Sequence, residues 1–486
     1  MHEKLLVLIQ TPYFEQYGAM RKAAGTYFPL GIGYISAYVK QFGYRVKFFD
    51  PNVQKIELTD IVEFIQTHKP ILVGMSFMTP QFFTAKDIVD KIKNRLPGIP
   101  VVLGGAHPSV MPKKTLEEIP NADYIVYNEG EQTMLELIEF INQKGDTPRN
   151  IDGLVWKDGD SIVVNKPRAS IDNLDKLPFP DRELIDQSMY HAQSFLSYSR
   201  KAITIYTSRG CPGKCVFCAS GHTLRNRIRQ RSIENVMDEI DFLRRRYDID
   251  YLMIKDDTFT INNRLIRNFC QEIKRRHPKL RWHCMVRADT VDEEILAVMK
   301  NAGLNDVFIG IESGNNEILK KSRKGTNTKQ VRSIVEACER LGIKTYGAFI
   351  LGLPGDTRET IHETIDFACS LPLTMAGFSI LIPYPGTKVY EDYFIHGTQI
   401  NYRQFIASTG LNYVEGYTGL KNVKLDELPR LVSLAQRQFY FRPSQIMRLL
   451  RNANSSLLYG YAKGFLALIS KELLLAQRFI KTLTIK

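Results

Sequence analysis

Two long stretches of this chain repeat one pattern, a short apolar run followed by a longer amphipathic one. In the first stretch the apolar runs fall at 5–9, 46–49, 71–76, 101–103 and 124–126, with helical spacing at 31–42, 58–67, 81–95 and 131–142 between them. Strands that alternate with helices join as a parallel sheet, because each crossover helix returns the chain to the same edge. The spacing therefore predicts an α/β fold over residues 1–156, a doubly wound, Rossmann-like parallel sheet. Its ligands would sit beyond the carboxyl ends of the strands.

The rhythm lapses over 157–194, around the turn Asp158-Gly159-Asp160 and the extended Leu177-Pro178-Phe179-Pro180, which reads as a linker. It then resumes with strands at 202–206, 251–254, 281–286, 306–311, 344–351 and 377–382, and helices at 233–246, 262–277, 291–301, 328–341 and 358–370. Six units without a seventh or eighth predict a partial (β/α)6 barrel over 195–395, with its chemistry at the strands' carboxyl ends. A mainly helical, basic region follows over 396–486.

Composition narrows the class. With 486 residues, 44% hydrophobic and 24% charged, the chain is neither disordered nor a single small module. Seven cysteines are too few for a disulfide scaffold, and three of them crowd into one loop, which points to metal in a reducing compartment. Met1-His2-Glu3-Lys4 and the brief apolar run after it lack the pattern of a secretory signal, so a cytoplasmic location is expected. The net charge is +13, but residues 421–486 carry twelve Lys and Arg against three Asp and Glu. The excess is thus a property of the tail. In the tail, Lys463, Lys471, Arg478 and Lys481 share one helical face and interrupt every apolar run well short of a membrane span. That helix either packs on the barrel with its basic stripe in water or rests on an anionic membrane surface.

Three groups of residues carry chemistry. The strand-end loops Gly104-Gly105-Ala106-His107-Pro108-Ser109 and Asn128-Glu129-Gly130-Glu131 either simply turn the chain or let a large cofactor approach the backbone. Directly after the first barrel strand comes Cys211-Pro212-Gly213-Lys214-Cys215-Val216-Phe217-Cys218. Three thiolates on one loop can hold three corners of an iron–sulfur cube and leave the fourth iron open. Zinc competes, since His222 is close enough to complete a Cys3His site. The third group is a set of short motifs at successive strand ends: Asp256-Asp257-Thr258-Phe259-Thr260, Gly310-Ile311-Glu312-Ser313-Gly314, Gly352-Leu353-Pro354-Gly355 and Pro383-Tyr384-Pro385-Gly386-Thr387.

The cysteine loop, with its C-x3-C-x2-C spacing and the aromatic Phe217, together with these strand-end motifs, resembles the radical S-adenosylmethionine (SAM) superfamily. Phe28-Pro29-Leu30-Gly31-Ile32-Gly33-Tyr34, the two glycine loops and Leu177-Pro178-Phe179-Pro180-Asp181 resemble its cobalamin-binding class. The resemblance spans about residues 5–400. It implies a [4Fe-4S] cluster on Cys211, Cys215 and Cys218, and SAM held by Phe217, Asp257, Glu312, Ser313 and Gly352. It further implies cobalamin held by Gly31, Ser76, Gly104, Gly105, His107, Glu129 and Gly130. No histidine here has Asp two positions before it, so the D-x-H-x-x-G cobalt-ligand motif of another vitamin-binding family is missing. His107 is accordingly expected to contact cobalamin or brace its loop.

The implied activity is reductive cleavage of SAM to a 5′-deoxyadenosyl radical, followed by methylation of an unactivated carbon in a small or lipid-like substrate. Some members of the class cyclise or rearrange their substrates instead. The implied partners are a one-electron reductant such as flavodoxin or ferredoxin and, through the tail, the inner face of the membrane. No nucleic acid is expected. A zinc-stabilised nucleic-acid-binding protein is the reading from another class, and it predicts no iron and a steep salt dependence of binding.

Overall fold

The computed structural model describes residues 4–13, 25–143, 145, 147–191, 196, 199, 201–223, 227–394, 400–405 and 413–452, with only the backbone at 222, 223 and 452. The tail helix expected over 455–486 and the His222 side chain lie outside the described residues.

The first sheet contains β1 (Leu5–Gln10), β2 (Arg45–Phe49), β3 (Leu72–Ser76), β4 (Val101–Gly104) and β5 (Tyr124–Val126), in the order β2-β1-β3-β4-β5 with every pair parallel. The chain direction across the sheet reverses between β1 and β3, which opens a crevice at their carboxyl ends. Both faces are covered. Val7, Ile9, Val73 and Met75 pack towards the helices Leu58–His68 and Phe82–Arg95. Leu6, Leu8, Leu72 and Val102 pack towards Leu30–Lys40 and Glu131–Gln143. Double coverage explains why β1 and β3 read as unbroken apolar runs.

The sheet does not stop at 156. β6 (Leu154–Asp158) joins β5 antiparallel, and β7 (Ser161–Val164) pairs back on β6 across Gly159, which has φ +58°. The start of the expected linker is therefore an edge hairpin. Four partly exposed residues are too short a run to announce it from sequence. The remainder is strapped to both halves of the molecule. Asp181 accepts from Ser36 Oγ at 2.7 Å and pairs with Lys40 Nζ at 2.5 Å, while buried Arg182 donates to the Thr204 carbonyl at 2.5 Å.

The second sheet begins at β8 (Ala202–Ile205). The chain then pairs β9 (Ser208–Arg209) with β10 (Arg229–Gln230) on either side of the cysteine loop. It continues through β11 (Tyr251–Ile254), β12 (Arg281–Val286), β13 (Leu304–Glu312), β14 (Lys344–Leu351) and β15 (Met375–Ile380), in the order β8-β11-β12-β13-β14-β15 with every pair parallel. This is the open six-stranded barrel that the spacing predicts. Along β14 buried and half-buried residues alternate, because one face packs on the helices and the other lines a lumen that water reaches. Past the barrel, the helix Leu428–Tyr440 lies on β15, with Tyr440 Oη donating to the Ala376 carbonyl at 2.7 Å. Among the described residues no helix is long and apolar enough to cross a membrane.

Candidate active site

The cysteine loop is positioned from below by Asp256, a buried carboxylate just past β11. It accepts from Thr207 N–H at 2.7 Å, from Ser208 Oγ at 2.7 Å and from the Thr207 hydroxyl. From above, Val216 is pinned twice: its N–H donates to Ser322 O at 3.1 Å and its carbonyl accepts from Val389 N–H at 2.9 Å. Polar groups surround the sulfurs. Cys211 Sγ is 3.2 Å from the Thr258 hydroxyl and accepts from Gly213 N–H at 3.4 Å, Cys218 Sγ accepts from Ser220 N–H at 3.5 Å, and Arg287 approaches Cys215 Sγ at 3.9 Å. A Cβ on Gly213 would come within 3.2 Å of Cys211 Sγ and 3.9 Å of Cys215 Sγ, so only glycine leaves the space between these two sulfurs clear.

Burial pushes the Cys218 thiol up to about 11, and the neighbouring Cys215, Asp257 and Cys211 add to the rise. A thiol raised in this way ionises readily only beside concentrated positive charge, which a metal centre supplies. Among the described residues, no three His, Cys, Asp or Glu side chains converge on a single-ion site. Thiols spread along a loop, with N–H donors at the sulfurs, suit the corners of an iron–sulfur cube. The remaining cysteines serve packing: Cys270, Cys284 and Cys338 are buried in the core behind the second sheet, and Cys369 packs partly buried against it.

The residues expected to hold SAM divide. Phe217 packs partly buried beside Val216, Leu353 and Val389 at the barrel mouth. Asp257 is exposed there and accepts from Ser220 Oγ at 2.5 Å. Glu312 ends β13 at a bulge with φ +69°, a conformation that strains a non-glycine residue, and its Oε1 meets Lys324 Nζ at 2.7 Å. Lys324 was not legible as a site residue. It is buried, and its ammonium stays protonated because Glu312 and Cys215 outweigh the cost of burial. Ser313 and Gly352 are engaged within the chain. Ser313 turns under the bulge, bonds Thr364 Oγ1 at 3.0 Å and is 1% exposed. Gly352 spends its N–H on Asp356 Oδ2 and its carbonyl on Tyr417 Oη, each at 2.9 Å, so its amide is not free to read an adenine.

A cavity of about 370 Å³ opens at the crevice of the first sheet and reaches the cysteine side of the second. Gly31, Ser76, Gly104, Gly105, Glu129 and Gly130 all line it. Tyr206, Ser208, Arg209 and Asp257 close it from the barrel. Two glycines are there for different reasons. Gly105 has φ +99°, and a Cβ would press within 2.7 Å of Phe77 O and Ser76 Oγ. A Cβ on Gly31 would meet no protein atom within 4 Å. The space in front of Gly31 thus belongs to the cavity, and a glycine-lined slot with apolar walls and a polar rim fits the edge of a large flat cofactor.

Of the two roles expected of His107, the geometry fits the brace. A short helix, Ala106–Val110, starts just before it, so while Gly105 and Ala106 face the cavity, His107 is turned about 100° away. Its ring is fully buried against Phe77, Phe82 and Tyr402, with Nδ1 3.1 Å from Thr79 Oγ1, and burial holds its pKa down to about 3. It is a neutral brace.

The seam between the two sheets is ionic and buried. Arg209, two residues before Cys211, donates to Glu129 Oε1 at 2.8 Å and Glu131 Oε1 at 2.7 Å, and stacks on Tyr34 at 4.9 Å. Arg229 takes the other oxygen of Glu129 at 2.7 Å. Burial opposes the charge on Glu129, but the two guanidiniums hold its carboxyl below the usual range. Its oxygens therefore serve the seam while its backbone borders the cavity.

Comparison with known proteins fits this geometry. Residues 205–368 match the Radical SAM superfamily and residues 18–138 the B12 binding domain. An uncharacterized methyltransferase from Pyrococcus horikoshii is 31% identical, over 88% of this chain and 92% of the relative. The anaerobic magnesium-protoporphyrin IX monomethyl ester cyclase of Rubrivivax gelatinosus is 30% identical, over 79% of this chain and 69% of its own. The fold is shared with the radical S-adenosylmethionine methyltransferase TsrM from Kitasatospora setae, solved with cobalamin and a [4Fe-4S] cluster, at a TM-score of 0.67 and 23% identity over 90% of this chain and 82% of that one.

Proposed function

The chain belongs to the radical SAM superfamily and also carries a B12 binding domain, and on this premise we propose that it is a cobalamin-dependent methyltransferase acting on a small molecule. One observation carries the reading: a single cavity is walled by the glycine loops of the first sheet and by Tyr206, Arg209 and Asp257 of the cysteine side. When bound, the cluster supplies the electron that splits SAM to a 5′-deoxyadenosyl radical, and cobalamin supplies a transferable methyl group. The first sheet, residues 5–164, would hold cobalamin through Gly31, Ser76, Gly104, Gly105 and Gly130, and the barrel would hold the cluster through Cys211, Cys215 and Cys218.

The chain's own residues position and protect. The Glu312–Lys324 pair offers a carboxylate and an ammonium at the barrel mouth, matched to the amino and carboxylate groups of SAM. The seam arginines hold the two sites at one separation and exclude water between them. Asp257 faces both sides and suits a SAM hydroxyl.

The test uses anaerobically reconstituted protein with SAM and a low-potential reductant such as ferredoxin or flavodoxin. Iron is expected to be lost on replacing Cys211, Cys215 or Cys218 by Ala, and retained on replacing Cys270 or Cys338 by Ser. Methyl transfer predicts S-adenosylhomocysteine as well as 5′-deoxyadenosine. The likeness to a cyclase favours a second reading, cyclisation without methyl transfer, which predicts 5′-deoxyadenosine alone. The basic, leucine-rich segment 455–486 supports a cytoplasmic enzyme in reversible contact with anionic lipid; vesicle co-sedimentation lost on truncation after Ser455 is the expected result.

A further inference from the structure

The inner face of the second sheet is layered. At its amino-terminal end Tyr251, His283 and Asp306 close the lumen: His283 Nδ1 lies 2.7 Å from Asp306 Oδ1, and Tyr251 Oη donates to Oδ2 of the same carboxylate. One level higher, strand register brings Met285, Phe308 and Tyr346 side by side, the two rings stacked at 5.2 Å. Above them the wall is made of small residues, Gly310 and Ala348, roofed by the Glu312–Lys324 pair, whose atoms lie 2.7 and 2.9 Å from a Gly310 Cβ position. At the level of the aromatic pair stands Lys255. It follows β11 directly and shares the inward face of Tyr251 and Met253.

Lys255 is set apart from the other sequestered lysines. Lys324 pairs with Glu312 and Lys93 with Asp123, but the Lys255 ammonium has no hydrogen bond or ion pair among the described residues. It stands over the face of Tyr27, 4.2 Å from Nζ to the ring centre. The nearest carboxylate on the inner face, Asp306, is already shared between His283 and Tyr251. An ammonium half-buried among methionine and aromatic side chains carries a desolvation cost that no hydrogen bond or ion pair among the described residues offsets. Asp257, two residues further on, already lines the cavity shared with the first sheet.

Resting on the reading of this chain as a radical SAM enzyme, we propose that Lys255, on the inner face of the barrel, is the anchor for an anionic group of the substrate, a carboxylate or a phosphoryl oxyanion. The stacked Phe308 and Tyr346 then take the apolar or ring portion next to that anion. A neutral substrate would leave the ammonium uncompensated. Burial holds the Lys255 pKa down to about 8 against the pull of Asp306, so the anchor discharges at mildly alkaline pH. Tyr27, Tyr251, His283 and Tyr346 share this face with the paired Glu312 and Lys324 above them, and among the described residues Asp306 is the carboxylate whose charge acts on Lys255.

Isothermal titration of cluster- and cobalamin-loaded protein, anaerobic, without reductant and with saturating SAM, tests the anchor with four probes: benzoate, phenylphosphonate, benzyl alcohol and benzylamine. Benzoate or phenylphosphonate is expected to bind most tightly, and which of them leads assigns carboxylate or phosphoryl. Lys255→Met should weaken the leading anion about tenfold or more. Lys255→Arg should restore the preference for anions over benzyl alcohol, and in wild type that preference should fade as pH rises through about 8. Equal anion affinity in wild type and Lys255→Met, tighter binding of benzyl alcohol or benzylamine, or no binding of any probe overturns the anchor. Iron content, cobalamin uptake and SAM cleavage are read separately on wild type, so failure of the underlying assignment is distinguishable from failure of this one.

Discussion

The two sheets are built from the same strand–helix unit but spend it differently. In the first, both faces of β1 and β3 are buried, and only the loops beyond the strands border the cavity. In the second, β13, β14 and β15 keep one face for the helices and turn the other into a lumen. Function in the first sheet thus rests on backbone and glycine at a rim, and in the second on every other side chain of a wall. Substitutions should therefore act by different routes: on shape at the rim, and on charge at the wall and at the seam where the two meet.

The seam should give the largest effect. Arg209→Met strands Glu131 in a buried setting, leaves Glu129 with Arg229 as its one cation, and is expected to cost about 3–5 kcal/mol of stability, measured by denaturant unfolding. A loss below 1 kcal/mol would mean that the two sheets are held together by something other than this charge cluster. Next comes the rim. Gly105→Ala should destabilise the cofactor-free protein by about 1–3 kcal/mol, since it adds a Cβ at φ +99° against Phe77 O.

The brace should give a smaller effect, visible against pH. His107 is held near pKa 3 in the folded chain and returns to about 6.5 when unfolded, so the unfolded state binds the extra proton. Its contribution is whole above about pH 6.5 and is lost as pH falls towards 3, at up to about 1.4 kcal/mol per pH unit. His107→Gln should flatten that slope between pH 6 and 4; an unchanged slope would place the titrating group elsewhere. Smallest in stability is Gly31→Ala. It should shift the unfolding free energy by less than about 0.5 kcal/mol yet weaken hydroxocobalamin binding, because its methyl group enters the cavity alone.

The elements were readable because their signals are local. Strands 251–254, 281–286 and 344–351 fall where the apolar runs place them, and the cysteine loop lies directly beyond β8. What sequence could not show is orientation at strand ends. Ser313 sits one residue past Glu312 in the same motif, yet the bulge and positive φ at Glu312 turn the serine under the sheet towards Thr364. The one-turn helix at Ala106 likewise carries His107 away from the loop it belongs to. Lys324 and Arg209 were missed for another reason. Each lies near a motif without being part of it, and its partner comes from elsewhere: Lys324 reaches back twelve residues to Glu312, and Arg209 reaches across to the other sheet. The only available hints were an Arg directly before Gly210-Cys211 and a Lys followed by Gly325.

The double pin on Val216 also sets a schedule. Its two partners, Ser322 and Val389, are made after the thiols, one beyond β13 and the other beyond β15. While the chain is still emerging from the ribosome, the cysteine loop has its lower support on Asp256 but neither of the bonds that hold it from above. The three thiols therefore reach their final spacing only when the last strand has joined the sheet. A chain arrested before residue 389 lacks one of the two bonds that hold the cysteine loop from above.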